Sequence, residues 1–508
     1  MAAGRCNVLL ITSDQQHFMT LGVNNDKIKT PNLDRLAAMG TVFDRAYTCN
    51  PTCTPTRASI ITGKYPSQHG GWSLGCKLPE NQHVVGDDFK NAGYATALVG
   101  KAHFQPLAST EKYPSLESYP VMQDLDFWRN FHGPFYGFEH IELARNHTDE
   151  AHVGQHYAVW MEDNGAADWR KWFRRPTGTG DVQEHIWNIP ERFHYNAWIT
   201  GRTNALLEQY NAADRNFFLW ASYFDPHPSY LVPQPWASMY DPADIELPQM
   251  PSDRLTDMPP HYGLTQLEQS ECKPEFDKYN EPGGNFCHGF HSHLRSDEQK
   301  RKDIAVYYGM VSMMDHYIGL VLQKLDELGL TDKTLVVFTT DHGHYYGQHG
   351  LTAKGAFNYE DLLRIPMIAA MPGKIPAGRR SDALQSVVDL APTFLSVCGI
   401  GIPYEMTGID QKRQWFGEVE RLRDWAIVEN HHQPTTINSR TFITQRYKIT
   451  IYCGKIYGEL FDLEEDPGEL NNLWDDAASA QIKNRLVMEF LHSELARESM
   501  YMPRIAIA

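Results

Sequence analysis

The sequence lacks any long uncharged apolar segment, and this excludes a transmembrane helix. The chain begins Met-Ala-Ala-Gly-Arg-Cys and moves directly into an apolar strand expected at Asn7–Thr12. This leaves no room for the apolar segment and cleavage site of a secretory signal. Internal repeats and low-complexity segments are also absent. We therefore expect a cytosolic (cytoplasmic) globular protein that does not bind membranes.

Cysteine is scarce, with eight in 508 residues, and the spacing of these cysteines is irregular. The pattern is typical of reduced thiols in a reducing compartment rather than of a disulfide framework. Asn146-His147-Thr148 matches a glycosylation sequon, which we expect to be unused in a cytosolic protein. The cysteines occupy positions 6, 49, 53, 76, 272, 287, 398 and 453.

Basic residues are outnumbered, since 46 Lys and Arg face 63 Asp and Glu and give a net charge of −17. This balance argues against nucleic acid as a partner. It also disfavours a long sulfated polymer, because the overall field of the protein repels it. A small anionic ester is acceptable if its pocket is locally positive. The sequence leaves open whether the chain forms a homo-oligomer.

The first part of the chain alternates short apolar strands with helices. The pattern predicts helices at 30–39 and from about Lys300 to Leu328, the first closed by Gly40. This order predicts an α/β fold with a parallel or mixed sheet between helices, in which ligands bind beyond the carboxyl ends of the strands. The predicted strands are Val8–Thr12, Thr96–Val99, Phe217–Phe224 and Leu335–Thr340.

We predict two domains, a catalytic α/β domain at 1–403 and a C-terminal α+β subdomain at 404–508. The subdomain should hold strands near Trp425–Glu429, Thr441–Thr444 and Lys448–Tyr452, followed by a helix near Ala477–Leu495. An aromatic-rich segment at about 105–200 indicates an insertion near the pocket mouth or an oligomer contact. Residues 231–298 are rich in Pro, Asp and Gly, and they predict long loops.

Several potential zinc ligands lie within these predicted loops. Their spacing matches no standard zinc finger, so a plain loop or lid with incidental histidines is the preferred interpretation. The residues concerned are Cys272, Cys287, His288, His291 and His293.

Residues 53–63 read Cys-Thr-Pro-Thr-Arg-Ala-Ser-Ile-Ile-Thr-Gly. Pro55 suits the first turn of a helix, and Gly63 can end that helix. Arg57 lies one turn beyond Cys53, so both side chains can face the same anion. The string therefore predicts a reactive side chain at a helix N-terminus, which favours a tetrahedral oxyanion. The alternative is a buried structural cysteine.

This string resembles the sulfatase signature, Cys-x-Pro-x-Arg followed by Ala-Ser-x-x-Thr-Gly. The resemblance implies a sulfatase/alkaline-phosphatase-like fold and conversion of Cys53 to formylglycine by a formylglycine-generating enzyme. The hydrated aldehyde would then supply the attacking oxygen. Further matches are Asn91-Ala92-Gly93-Tyr94 and Glu459-Leu460-Phe461-Asp462-Leu463, so the resemblance covers nearly the full chain.

Two pairs of polar residues directly follow predicted strands. Asp14-Gln15 and Asp341-His342 could converge on one divalent cation. The resemblance implies a metal site formed by these four residues with Cys53, taking Ca²⁺ first and Mn²⁺ or Mg²⁺ as alternatives. Many sulfatases have Asp-Asp and Asp-Asn here, and this variant looks more like the choline-sulfatase and phosphonate-monoester-hydrolase branches.

Further catalytic residues follow from the resemblance. Lys101 would bind the sulfate and the formylglycine hydroxyl, and His103 would act as base when the covalent intermediate breaks down. His227 would protonate the leaving oxygen, and Lys354 would be the second sulfate-binding lysine. Fixed positive charge from these lysines, Arg57 and the metal would stabilise the developing negative charge.

The sequence therefore predicts a sulfatase that hydrolyses an aryl or small soluble sulfate monoester. A phosphonate monoester or phosphodiester hydrolase on the same scaffold is the first alternative. A non-catalytic protein that binds sulfated ligands is the second, although Cys53, Arg57 and the metal ligands are all retained.

Overall fold

The structure is a computed structural model that describes residues 6–145, 152–173, 185–248, 258–266, 289, 292–432 and 435–507. The Asn146-His147-Thr148 sequon lies outside the described residues. Four of the candidate zinc ligands, Cys272, Cys287, His288 and His291, also lie outside them. The fifth, His293, is exposed in a short 3₁₀ turn.

Strands and helices alternate through the first two thirds of the chain. The strands are β1 (Asn7–Ser13), β2 (Thr41–Phe43), β3 (Ala46–Tyr47), β4 (Ala95–Gly100), β5 (His140–Leu143), β6 (Phe217–Ser222), β7 (Thr334–Thr340), β8 (Tyr345–Tyr346), β9 (Thr352–Ala353), β10 (Arg364–Ile365), β11 (Met367–Ala370), β12 (Arg379–Ser381), β13 (Gln385–Ser386), β14 (Ala426–His431), β15 (Asn438–Ile443), β16 (Tyr447–Tyr452) and β17 (Gly458–Asp462). The helices are α1 (Pro31–Met39), α2 (Cys53–Thr62), α3 (Pro66–His69), α4 (Val85–Asn91), α5 (Leu125–Asn130), α6 (Gln155–Asp163), α7 (Tyr195–Ala212), α8 (Asp297–Glu327), α9 (Glu360–Leu363), α10 (Leu390–Val397), α11 (Lys412–Trp415) and α12 (Ala480–Ala496).

The main sheet has the strand order β12-β2-β11-β7-β1-β6-β4-β5. Strand β1 is central and pairs in parallel with β6 and β7, while β4 is parallel to β6 and β5. Strand β11 runs antiparallel to β7 and β2, so the sheet is mixed. The carboxyl ends of β1, β4, β6 and β7 therefore meet at one edge.

Strand β1 shows why the sheet is covered on both faces, since all seven of its residues are buried. Val8 and Leu10 pack into the cluster that contains residues of α2 and α10. Leu9 and Ile11 belong to the opposite cluster, with residues of α1, α7 and α8. Successive side chains of a strand point to opposite faces, so this continuous apolar run is typical of a sheet between two helical layers. The predicted α/β fold class is confirmed.

Long helix α8 begins three residues before its predicted start. Ser296 caps it, because the Ser296 hydroxyl accepts from the Gln299 backbone N–H at 3.2 Å and the Gln299 side chain accepts from the Ser296 N–H at 2.9 Å. This reciprocal capping box satisfies two N–H groups at the helix start. Helix α1 begins at Pro31, one residue after its predicted start, and ends at the predicted Met39.

The aromatic-rich segment contributes mainly to the core. Trp128, Tyr157 and Trp169 are fully buried, whereas Tyr113 and Tyr119 are exposed. The buried rings fill space beside the sheet, and the interpretation of the segment as an insertion near the pocket mouth or an oligomer contact stays a prediction.

The C-terminal part contains the antiparallel sheet β14-β15-β16-β17 and α12. The three predicted strands and the final helix are present there, and β17 is an additional strand. The Glu429 backbone N–H donates to the Cys49 carbonyl at 2.8 Å, and this hydrogen bond links the sheet to the segment before α2. The division at residue 403 stays a prediction.

Within the described ranges, no helix is both long and apolar enough to cross a membrane. The six described cysteines are all free thiols.

Candidate active site

The ends of three strands and the start of one helix build a buried polar centre. Asp14 follows β1, Asp341 follows β7, and Lys101 follows β4. Because these parallel strands end at the same edge of the sheet, the three side chains converge, and all are buried. Lys101 Nζ donates to Asp14 Oδ2. Arg57 Nε donates to Asp341 Oδ2 at 2.9 Å.

Helix α2 delivers Cys53 to this centre. The helix begins at Cys53, and the Asn50 side-chain oxygen accepts from the Thr52 backbone N–H at 2.8 Å just before it. Gly63 ends the helix in the left-handed conformation, with φ of 62°, which favours glycine. All ten helical residues are buried. The predicted helix and its glycine end are confirmed.

The Cys53 sulfur is surrounded by polar groups. It lies 3.3 Å from His342 Nε2, 3.5 Å from Lys354 Nζ, 3.6 Å from Asp14 Oδ1 and 3.8 Å from Lys101 Nζ. Burial, followed by the charge of Asp14, raises the pKa of the thiol to about 11, although both lysines oppose the shift. An unmodified Cys53 is therefore a neutral thiol at neutral pH in this protein.

A group of four possible metal ligands lies at the same place. Ligand atoms of Asp14, Cys53, Asp341 and His342 all lie within 4.8 Å of one another, and the four residues are buried. His342 Nδ1 lies 3.0 Å from the Gly343 carbonyl, an arrangement in which Nδ1–H donates and Nε2 can bind a cation.

Gln15 completes the possible donor set. Among the described residues, its buried side-chain Oε1 has no hydrogen-bond partner, whereas its Nε2 lies 2.9 Å from His344 Nδ1. Its backbone N–H donates to Asp341 at 3.0 Å, which holds the two pairs together. Oxygen ligands with one imidazole suit a hard or borderline divalent cation, so these residues fit the metal that the sequence indicates.

Arg57 is directed toward carboxylates. In addition to Asp341, its Nη2 lies 3.4 Å from Asp14, and its Nη1 donates to the Lys101 carbonyl at 3.0 Å and the Ser222 hydroxyl at 2.8 Å. The guanidinium is fully buried. Its observed contacts therefore fix the two aspartates and the end of β4 relative to each other.

A close approach of β4 and β6 sets the position of Lys101. Gly100 has a φ of 105°, and a Cβ there would lie 1.9 Å from the Ser222 carbonyl oxygen. The Lys101 backbone N–H donates to that same carbonyl at 3.1 Å. Only glycine permits this approach, and it places the lysine directly over the sheet edge.

His103 and His227 flank the centre from the ends of β4 and β6. His103 is buried with its Nδ1 unpartnered among the described residues, and its φ is 58°. Burial, with nearby Arg145 and Lys101, holds the pKa of His103 well below its usual range. Burial also lowers the pKa of His227 strongly, although Asp14 opposes the shift. His227 Nδ1 donates to the Pro228 carbonyl.

The centre therefore gathers every candidate site residue from segments far apart in the chain. They are Asp14, Gln15, Cys53, Arg57, Lys101, His103, His227, Asp341, His342 and Lys354. Their catalytic roles stay predictions.

Sequence reasoning missed the residues that support this set. Ser222, the last residue of β6, bonds Arg57, and His344 bonds Gln15. The Asp341-His342-Gly343-His344 string carried a signal, because a second histidine stands two positions after a predicted ligand.

Comparison with protein families agrees with this geometry. The family described as Sulfatase matches residues 6–400. The family described as N-sulphoglucosamine sulphohydrolase, C-terminal, matches residues 347–496.

Individual proteins are similar over nearly the whole chain. An arylsulfatase of Clostridium perfringens (strain 13 / Type A) is 28% identical, covering 97% of this chain and 94% of the relative. A choline-sulfatase of Rhizobium meliloti (strain 1021) is 24% identical, covering 93% of this chain and 83% of the relative. The structure of a phosphonate monoester hydrolase from Silicibacter pomeroyi superposes with a TM-score of 0.80 at 24% identity, covering 99% of this chain and 98% of that one. The last comparison establishes a shared fold.

Proposed function

The chain belongs to the sulfatase family of sulfuric ester hydrolases, and we propose that it hydrolyses small sulfate monoesters, aryl esters included, through a formylglycine made from Cys53. One observation carries the proposal. The Cys53 sulfur lies within 3.8 Å of both the Lys101 and the Lys354 ammonium groups, at the first turn of a buried helix. A helix start with two cations is a favourable place for a sulfate group.

The proposed reaction breaks the bond between sulfur and the ester oxygen. Water adds a hydroxyl to sulfur and a proton to the leaving oxygen, which gives an alcohol or phenol and sulfate. Negative charge grows on the sulfate oxygens and on the leaving oxygen as that bond breaks. Lys101 and Lys354 supply fixed positive charge where this growth occurs, which lowers the barrier.

Asp14, Gln15, Asp341 and His342 would hold one divalent cation beside residue 53. When bound, the cation would add positive charge next to the attacking group. The oxygen ligands favour Ca²⁺, and the imidazole of His342 also admits Mn²⁺. In this proposal Arg57 keeps the two aspartates in place, as its contacts with both indicate.

The two flanking histidines divide the proton transfers. His227 would protonate the leaving oxygen, and His103 would accept a proton when sulfate is released. A neutral His103 whose Nδ1 has no partner in the described part of the chain suits a base. Because the pKa of His227 is low in the free protein, the negative charge of a bound ester is needed to raise it for the acid role.

A second candidate function is hydrolysis of phosphonate monoesters or phosphodiesters. The Gln15 and His342 donors favour it, because they resemble those of the phosphonate-monoester-hydrolase branch. The same nucleophile, cations and proton donor would serve attack on phosphorus.

The test compares paired substrates on one preparation whose Cys53 conversion and metal content have been measured. We expect kcat/KM for para-nitrophenyl sulfate to exceed that for para-nitrophenyl phenylphosphonate. The reverse order would establish the second function. If neither ester nor a panel of aliphatic sulfates is cleaved, but sulfated ligands bind, the chain is a binding protein.

A further inference from the structure

Arg145 is a buried cation next to the proposed active site that the mechanism above does not use. It stands two residues after β5, and only 3% of its side chain is exposed. Its Nη1 donates to the Gln105 carbonyl at 3.3 Å. Among the described residues, its Nε has no partner although it is buried.

The other buried arginines are bound by carboxylates at hydrogen-bond distance. Arg57 donates to Asp341 at 2.9 Å, Arg423 to Asp389 at 2.9 Å, and Arg497 to Glu429 at 2.7 Å. For Arg145 the corresponding carboxylate is Glu117, at 3.6 Å from Nη1. This distance is too long for a hydrogen bond.

Glu117 is already engaged elsewhere. Its Oε1 accepts from the His103 backbone N–H and its Oε2 from the Gln105 backbone N–H, each at 2.7 Å. Its position is therefore fixed by the loop that carries His103, and it cannot close on Arg145 without losing these bonds. A buried guanidinium with an unfilled donor costs free energy, and such groups usually have a functional reason.

Arg145 interacts electrostatically with charged groups of the proposed active site. Burial lowers the pKa of Arg145, and the charges of Glu117 and Asp14 partly offset this effect. Arg145 is also the charged residue that lowers the pKa of His103 most. Arg145 Nη1 lies 3.6 Å from the same Glu117 Oε1 that accepts from the His103 backbone N–H at 2.7 Å, so the guanidinium stands beside the loop of the proposed base.

We propose that Arg145 binds a second anionic group of the substrate, a carboxylate carried by the leaving alcohol or phenol. This assignment rests on the proposed function. The planar guanidinium matches a carboxylate, and its buried Nε makes no hydrogen bond to the described residues.

The reacting sulfate is a less suitable partner for Arg145. A sulfate monoester brings one negative charge, and Lys101 and Lys354 already stand within 3.8 Å of the Cys53 sulfur. Arg145 instead bonds the Gln105 carbonyl, so it is held against the loop that carries His103. A third buried cation supplies more positive charge than a singly charged ester requires. An ester with a second negative charge would pair with it.

The test uses two aryl sulfates of similar size, para-carboxyphenyl sulfate and its uncharged analogue para-carbamoylphenyl sulfate. The full chain with converted Cys53 and bound metal should have a higher kcat/KM for para-carboxyphenyl sulfate than for para-carbamoylphenyl sulfate. Arg145→Gln should lower kcat/KM for the carboxylate about 10- to 100-fold, because a charge-assisted contact is lost. In the same variant, kcat/KM for the uncharged ester should fall by less than about threefold.

Two variants serve as controls. Arg145→Lys keeps the charge without the planar fork and should retain part of the preference. Arg413→Gln replaces an exposed side chain of α11 and should leave kcat/KM unchanged for both esters. An equal loss on both esters with Arg145→Gln would overturn the proposal, because Arg145 would then only support the His103 loop.

Wild-type protein gives the same comparison if the variants fail to fold. Para-hydroxybenzoate should bind more tightly than para-hydroxybenzamide by calorimetry, and equal affinities would overturn the assignment. Cleavage of both esters with equal kcat/KM would support the proposed sulfatase function and would contradict carboxylate binding by Arg145. Cleavage of neither ester by the metal-loaded, converted enzyme counts against the proposed function, and the calorimetric comparison still decides the role of Arg145.

Discussion

The side-chain amide of Gln15 donates from Nε2 to Nδ1 of His344 across 2.9 Å. Since an amide nitrogen can only donate, Nδ1 must accept, so the proton of the neutral ring lies on Nε2. That Nε2 lies 2.9 Å from the Tyr230 hydroxyl. Burial lowers the pKa of His344 strongly, in agreement with a neutral ring. The ring thereby selects which end of the Gln15 amide is left for a cation.

His344→Ala should weaken metal binding about 10- to 100-fold, because the Gln15 amide loses the group that orients it. Calorimetric titration of metal into metal-free protein measures the change. His316→Ala, at an exposed position of α8, is the matched control. Unchanged metal affinity in folded His344→Ala would contradict this support role.

Cys53 should be found as formylglycine in any active preparation. Peptide mass spectrometry would show the change from thiol to aldehyde at position 53, and activity should scale with the converted fraction. Cys53→Ala should abolish turnover while the fold is kept, since the residue occupies the first turn of α2 without a bond that the helix requires. Full activity with only unmodified cysteine would refute the assignment.

His227→Ala should steepen the dependence of rate on the pKa of the leaving group. A poor leaving group needs the proton that His227 supplies, whereas a nitrophenolate scarcely does. A positioned acid contributes on the order of 10² to 10⁴ in rate. Measuring kcat/KM across phenyl sulfates of graded acidity tests this. If good and poor leaving groups slow equally while chemistry limits the rate, His227 is only a contact for the bound sulfate.

His103→Ala should behave differently, because His103 is assigned to the later step. The first equivalent of phenol should then appear as a rapid burst, and sulfate should follow slowly. Stopped-flow detection of phenol with a separate assay of sulfate distinguishes the two products. Simultaneous slow release of both would remove His103 from the second step.

His156 should make the protein sensitive to acid. Its Nδ1 accepts from the Leu143 backbone N–H at 2.8 Å, and its Nε2–H donates to the Phe131 carbonyl at 2.9 Å. Burial, assisted by His132, lowers the pKa of His156 to about 3. The unfolded chain binds this proton at an ordinary pKa near 6.5, so the contribution to stability is complete above pH 6.5 and is lost as the pH falls toward 3.

Chemical denaturation at several pH values measures this effect. The free energy of unfolding should fall by up to about 3 kcal/mol between pH 6.5 and pH 4 through His156 alone. His156→Gln can keep both hydrogen bonds without titrating, so its pH dependence should be flatter. Exposed His316→Gln is the control, and an identical slope in both variants would disprove the role of His156.

The sequence predicts those parts of the fold that depend on local pattern. Strand β1 and helix α1 follow from an apolar run and from Pro31 at a helix start. Asp14 and Asp341 could be paired because each directly follows such a run. Strands β2 and β11 escaped prediction, since β2 is only three residues long and β11 only four, and both are defined by pairing with distant partners.

Site residues that belong to a known local motif could be predicted from the sequence. Residues that reach the site through contacts between segments distant in the chain could not. Glu117 reaches the loop of His103, and Arg145 reaches the same loop from the next strand. Neither contact leaves a periodic or spacing signal in the sequence. The conformation of Arg57 also depends on its buried partners, which the motif alone did not reveal.

The 1% exposure of Cys53 sets an order of events for its proposed conversion to formylglycine. An enzyme that converts the thiol has to reach it, and in the finished fold the sulfur is enclosed by groups from four other chain segments. The proposed conversion would therefore have to come before the fold closes, while the polypeptide is still being made or held open. Under this proposal, a chain that folds first would keep its thiol, and later addition of the converting enzyme would not modify it without unfolding.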